Sequence, residues 1–499
     1  MERKSGVLMP IFSLPSKYGI GGFGKESYKF VDFLKSAGQK VWQILPLVQT
    51  GYGNSPYSSI CSNSFNPYFI DIDGLKERGL LTNAQTKFAK TDCQTVDYGN
   101  LYSVIYPLLR SAFSKFDLHD KDFVKFVKSK EYYDYALFMA IKNSSGQKHF
   151  YEWDEKLCKR DEKALKLFAR QNKQELLFWQ FVQFTAKNDW QKLKKYANDN
   201  GVSILGDIPF YVALDSVDVW KNPHLFKLTS DFKPTKVAGV PPDYFSKDGQ
   251  LWGNPVYDFE VHQNQNFKWW VDRIKGMLGI YDYLRIDHFR AFDKYYEIDF
   301  GRQDAREGEW VKVPSKELFR HLHANVDKNK IIAEDLGIID DGVRQLLSEV
   351  NYPGMKILSF AFNGDEDNLY LPKNIIENSV CYTGTHDNDT LIGLIQNASE
   401  WDKNQLVNSV KRSLEEQRID GQTDCDEGLA LSIIKLGFFS KANTFIIPMQ
   451  DILFYGSEYR INQPGKVSNR NWSIRLKNTD FNLKKAKKLM QLTKKSKRI

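Results

Sequence analysis

Eight short apolar runs recur along the chain, each closed by Gly, Pro or polar residues. They are "VLMPIF" (7–12), "VWQILP" (41–46), "VSILGD" (202–207), "DYLRID" (282–287), "IIAE" (331–334), "KILSFAF" (356–362), "SVCYTG" (379–384) and "TFIIP" (444–448). Near-continuous hydrophobicity in runs this short predicts strands buried on both faces, the habit of parallel sheets. Between several of them the period lengthens toward that of a helix, as in "GKESYKFVDFLKSAGQ" and "NFKWWVDRIKGML". Eightfold alternation of strand and helix predicts an α/β fold, a (β/α)8 TIM barrel. Periodicity alone does not separate a short buried strand from a fragment of buried helix.

The spacing of the runs is uneven. About 155 residues separate the second from the third, far more than one crossover needs. Residues 102–197 are rich in Lys, Glu, Phe and Leu at helical spacing and hold a single Pro. We read 74–200 as a mainly helical insertion between the second and third strands. Residues 208–265, full of Pro, Gly, Asp and aromatics, read as a loop-rich insertion over the barrel mouth. The rest of 1–499 is assigned to the barrel. No internal repeat is present.

A hydrophobic content of 42% with 26% charge excludes a disordered chain. The net charge of +8 suggests a polyanion partner until it is located: residues 484–499 hold eight Lys and Arg and no acid, and the remainder is neutral. A nucleic-acid-binding face would spread its charge over a folded surface, so the basic tail is expected to be a solvated helix face or a frayed terminus. The five cysteines are scattered without a CxxC pair, against a disulfide framework or a thiolate zinc site. "HLH" (321–323) follows a helical pattern and reads as helix surface, leaving no metal site. No run is long enough to span a membrane, and Pro10 interrupts the N-terminal apolar stretch before it reaches signal-peptide length. The expected location is the cytoplasm, without membrane or nucleic-acid contact. Aromatics make up 14% of the chain, a supply suited to flat apolar ligand faces.

Candidate chemistry comes from where the acids fall. In such barrels functional groups gather at the C-terminal ends of the strands. Here the third run ends in Asp207, the fourth in Asp287 and the fifth in Glu334, while the seventh leads to His386 and Asp387. Within "LRIDHF", Arg285 and Asp287 alternate onto one side of the strand. Taken alone this pair reads more readily as a structural salt bridge, Glu334 equally as a helix-start acid, and Asp387 or Asp389 equally as an N-cap. Together the acids suit glycosidic chemistry, which needs an ionised nucleophile and a protonated acid that later turns base. Arg285 would favour the charged form of Asp287, and the apolar "IIA" before Glu334 would raise its pKa.

"LRIDHFRAF", "IIAEDLG" and "YTGTHDNDT" resemble the nucleophile, acid/base and third-acid regions of glycoside hydrolase family 77, the 4-α-glucanotransferases. The resemblance continues through "GVLMPIFSLPSKYGIGGFG", "VWQILPLVQTGYGNSPYSS", "GDIPFYVALDSVDVW", "AGVPPDYFSKDGQLWGNP", "IPMQDIL" and "NW" at 471–472. It implies that Asp287 attacks the anomeric carbon, Glu334 serves as acid/base and Asp387 stabilises the transition state, in a retaining double displacement on α-1,4-glucans. Arg285 and His386 would hold the sugar at the cleavage point, with Asp207, Ser55 and Tyr57 as further contacts. Tyr244, Phe245, Trp252 and Asn254 would line the acceptor side, and Tyr52 and Tyr98 would touch the glucan chain. For each aromatic, plain core packing is the competing reading. Donor and acceptor would both be maltooligosaccharides, and the chemistry calls for no cofactor. Ala291 where Gly is usual, Pro314 and Ser315 for a Gly-Pro-Gly-like turn, and bulky Tyr455 and Tyr459 depart from the family pattern. An α-glucan hydrolase of the amylase type, sharing the acids but losing the intermediate to water, is the nearest alternative. A non-catalytic glucan-binding protein is the more distant one.

Overall fold

The computed structural model describes residues 3–51, 53–89, 91, 93–242, 247–337, 339–466 and 468–499. Each of the eight apolar runs contains, or overlaps, one strand of a single parallel sheet. These are β1 (Lys4–Leu8), β2 (Val41–Gln43), β3 (Ser203–Ile208), β6 (Tyr283–Ile286), β9 (Ile331–Ala333), β10 (Gly354–Ile357), β11 (Ser379–Tyr382) and β12 (Thr444–Pro448). Their order in space is β10-β11-β12-β1-β2-β3-β6-β9, and the Ala333 N–H donates to the Pro353 carbonyl at 3.0 Å across the remaining gap. The result is a (β/α)8 barrel. The first strand lies upstream of the run at 7–12 because Pro10 has no N–H to give the ladder, so pairing stops at Leu8. Gly206 is required in β3: a Cβ there would fall 2.2 Å from the ring of Tyr281, which lies flat on the strand.

Between β2 and β3 the chain builds helices, among them Tyr98–Lys115, Lys121–Ser129 and Tyr133–Ser144, and ends in the 27-residue helix Lys173–Asp199 that leads into β3. Asp97 and Asp120 cap the first two by accepting from the N–H of Asn100 and Phe123. Phe116, Phe123, Phe181 and Phe184 join them in edge-on and tilted ring contacts of 4.9–6.1 Å.

Residues 208–265 also contain β4 (Lys236–Val240) and β5 (Gln250–Pro255), which join β7 (Lys294–Asp299) and β8 (Glu309–Lys312) in a four-stranded antiparallel sheet of order β5-β4-β7-β8. Two of its four strands, β7 and β8, lie beyond the excursion, so the local composition did not reveal it. The basic tail is not frayed; it is a helix whose lysines form a solvated face. Residues Leu483–Lys495 form a helix that buries Ala486, Leu489 and Thr493, with Asn482 capping it through the Lys485 N–H. Arg498 is fully buried, its guanidinium donating to the carbonyls of Phe438, Lys4 and Ser440 at the foot of β1 and β12. Among the described residues, no helix is long and apolar enough to cross a membrane, and no group of three His, Cys, Asp or Glu is placed to hold a metal ion.

Candidate active site

The register of the barrel assembles the acids. Arg285 on β6 pairs with Asp207 on β3, and Ile286 with Ala333 on β9. One step further along, Asp287 and Glu334 are therefore neighbours at adjacent strand ends, with the ladder continued by the Glu334 N–H donating to the Ile286 carbonyl at 3.0 Å. Side chains of alternate strand positions point to the same face, so Asp207 and Arg285 both enter the barrel interior.

Arg285, 3% exposed, is the hub. One guanidinium nitrogen donates to Asp207 and the other to Asp287 at 2.7 Å, while Nε faces the sulfur of Met355 at 3.4 Å. Burial works to discharge Arg285, but Asp207 and Asp287 outweigh it and the cation is held well above its ordinary range. The Tyr57 hydroxyl donates to the same Asp207 oxygen at 2.7 Å, and burial raises that phenol so that it stays protonated. Asp207, 1% exposed, thus lies behind Arg285 and Tyr57, which line the cleft. Substituting Met for Arg285 should destabilise the fold by roughly 3–5 kcal/mol, because Asp207 is left as an unpaired buried charge. Urea unfolding with an unchanged midpoint would refute that account of the hub.

Among the described residues, Glu334 is held by backbone N–H groups. Its two carboxylate oxygens accept from the His288 N–H at 2.7 Å and the Leu336 N–H at 2.8 Å. The first bond exists because His288 sits in the left-handed region, at φ 52°, which swings its N–H toward β9. Burial pushes the carboxyls of both Asp287 and Glu334 above the ordinary carboxylate range. Arg285 opposes the shift at both residues, while the charge of Glu334 adds to it at Asp287 and that of Asp335 at Glu334. Arg285 thus favours the charged form of Asp287 as expected, but burial outweighs it. Asp287 is not fully enclosed: 29% of its side chain stays open to the cleft.

Asp387 comes from the loop after β11. Its carboxylate accepts from the Asn462 amide at 2.7 Å and lies 3.4 Å from His386 Nε2. His386 is buried, which lowers its pKa and favours the neutral ring, and it stacks on Tyr57 at 5.1 Å. The helix-start reading of Asp387 fails, since the next helix, Leu391–Asn397, is capped by Thr390 accepting from the Gly393 N–H. Buried Asp451, in the short helix Met449–Ile452 that follows β12, spans the loop: it accepts from the Thr383 hydroxyl at 2.6 Å and the Leu391 N–H at 2.8 Å. Burial raises its carboxyl to about 6.

Asp287, Glu334 and Asp387 open into one cleft of about 1540 Å³, lined also by Arg285, Ser55, Tyr57, Trp252 and Asn254. Trp252, on β5, meets the His288 ring edge-on at 4.9 Å, and Asn254 donates to the Val212 carbonyl at 2.9 Å. Tyr98 is elsewhere. It lines a separate cavity of about 1830 Å³ that also reaches Ser55 but none of the three acids, and its hydroxyl donates to the Trp472 carbonyl at 2.7 Å. Tyr52, Tyr244 and Phe245 lie outside the described residues. Sequence reasoning did not single out His288, Asn462 or Asp451. His288 stands inside "LRIDHF", and its signal was available; the other two act through contacts with a loop distant in sequence. Tyr455 and Tyr459, which depart from the family pattern, stack on each other at 4.1 Å, and Tyr455 donates to Asp480.

Comparison with known proteins is consistent along the whole chain. A family model described as 4-alpha-glucanotransferase matches residues 9–480. The 4-alpha-glucanotransferase of Clostridium butyricum is 42% identical over 492 residues, covering 97% of this chain and 99% of that protein. That of Aquifex aeolicus is 43% identical over 492 residues, covering 97% of each. Among solved structures, the amylomaltase from Streptococcus agalactiae in complex with acarbose superposes with a TM-score of 0.94 at 37% identity over all of both chains. The amylomaltase from Corynebacterium glutamicum, 18% identical, shares the fold with a TM-score of 0.80 over this whole chain and 75% of its own.

Proposed function

The chain belongs to glycoside hydrolase family 77, the 4-alpha-glucanotransferases, and on that premise we propose the roles of its three acids. It transfers α-1,4-glucan segments. Asp287 attacks the anomeric carbon of the donor, and Glu334 gives its proton to the departing glucan. A covalent glucosyl-enzyme results; Glu334 then takes a proton from the acceptor hydroxyl, whose oxygen displaces Asp287 with net retention. The observation that carries this assignment is the asymmetry of the paired carboxylates. Asp287 receives a guanidinium hydrogen bond at 2.7 Å, whereas the hydrogen bonds to Glu334 among the described residues come from neutral backbone N–H groups. Charged donors bind a carboxylate roughly twice as strongly, so Arg285 works for the ionised form of Asp287 against the burial that raises both carboxyls. Asp387, 43% of its side chain exposed and steadied by Asn462, faces the ring hydroxyls as positive charge develops. Arg285 and Tyr57 keep the nucleophile in place, and His386 orients Asp387 from behind. Trp252 offers an apolar face to the acceptor.

Donor and acceptor are maltooligosaccharides and longer α-1,4-glucans, and the protein works in glycogen or starch metabolism. Five unpaired cysteines support a cytoplasmic location. The helical insertion 74–200 and the excursion 208–265 frame the substrate path. The deciding experiment is incubation with maltotriose. Transfer yields glucose and longer chains while the number of reducing ends stays constant; a steady rise in reducing ends would establish hydrolysis instead.

A further inference from the structure

Trp401 is 65% exposed, an unusual state for the largest apolar side chain. It is the second residue of the helix Glu400–Gln417 and lines the same cleft as the three acids. Among the described residues it makes no ring contact, and its indole N–H makes no hydrogen bond.

Tyr370 and Phe360 line the same cleft. Tyr370 is close enough to the acids that the charges of Asp335 and Glu334 add to the burial that raises its phenol to about 12. Phe360, 42% exposed, meets Tyr370 edge-on at 5.9 Å. Trp401 makes ring contact with neither among the described residues. One helical turn on, Gln405 lines the cleft on the same face, with its side-chain amide making no hydrogen bond among the described residues. An exposed aromatic face beside an uncommitted amide is poorly explained as packing. A pyranose ring matches both, presenting C–H groups to the indole and a hydroxyl to the amide.

We propose that Trp401, with Gln405 beside it, forms a remote subsite that holds a glucose unit of a long α-1,4-glucan chain and so makes the enzyme prefer longer chains. This rests on the glucanotransferase reading of the cleft. A chain short enough to end before Phe360 gains nothing from Trp401, whereas a longer one spreads its binding energy onto the far wing of the cleft.

The test compares kcat/KM across purified maltooligosaccharides from maltotriose upward, for the parent, Trp401→Ala and Trp401→Phe. Trp401→Ala should lower the ratio of kcat/KM on long chains to that on maltotriose about tenfold, the size of one aromatic anchor. The loss should fall mainly on KM, and Trp401→Phe should restore most of it. An unchanged ratio, or an equal loss at every chain length, would overturn the subsite while leaving the catalytic reading intact. A parent that transfers glucose from none of these chains would overturn the glucanotransferase reading and the subsite with it.

Discussion

Replacing Asp287 with asparagine is expected to lower the rate of transfer from maltotriose by about 10⁴-fold or more, the scale seen when a covalent nucleophile is removed. Asparagine keeps the size of the side chain and an oxygen that can accept from Arg285. It is uncharged, however, and its amide is no nucleophile toward an anomeric carbon. Arg285 still has Asp207, so the hub stays paired and the fold should survive with little change. A soluble variant with near-parental transfer would mean that another group attacks. Loss of activity together with loss of the folded state would instead be read against Arg285→Met, in which the hub itself is broken.

Exchanging Glu334 for glutamine should cost roughly 10²–10⁴-fold, the range of a positioned general acid–base. Here the loss should divide according to the leaving group. With α-glucosyl fluoride as donor, departure needs no proton, so formation of the glucosyl-enzyme should be largely restored. Completion with a sugar acceptor should stay slow, because the acceptor hydroxyl finds no base. Azide, which needs none, should restore turnover and yield the α-glucosyl azide. If fluoride and maltotriose donors lost the same factor, Glu334 would not be the acid. The pH profile carries the same information. Glu334 must hold a proton for the first step, and burial raises its pKa. Activity should therefore persist above the ordinary carboxylate range and fall as pH rises through the Glu334 pKa. On the acid side it should fall as Asp287 takes up a proton. The glutamine variant, assayed with the fluoride donor, should lose the basic limb of the profile.

The barrel was legible because its strands are buried on both faces, and that leaves an unmistakable apolar run at each one. The antiparallel sheet of β4, β5, β7 and β8 was not legible. β5 is half exposed, β8 more so, and β4 depends for its order on β7, which follows the fourth barrel strand. The docked face of the C-terminal helix was present as Ala486, Leu489 and Thr493, three and four residues apart, but eight basic residues drew attention away from it. The three acids were readable since each follows a strand end in the barrel. What sequence could not supply was the depth of the pocket. Arg285 was expected to ionise Asp287, while burial, which depends on every wall of the cleft, pushes the other way. The burial of Asp207 was not readable for the same reason: its position on β3 was evident, but the covering Tyr57 comes from 150 residues away.

The most direct test of the account is to catch the intermediate. Glu334→Gln is incubated with α-glucosyl fluoride, quenched in acid, and mapped by peptide mass spectrometry. The account predicts one added anhydroglucose unit, carried by the peptide that contains Asp287 and absent from the Asp287→Asn, Glu334→Gln double variant. Label on Asp387 or another carboxylate, or rapid fluoride release with no sugar attached to any peptide, would contradict it.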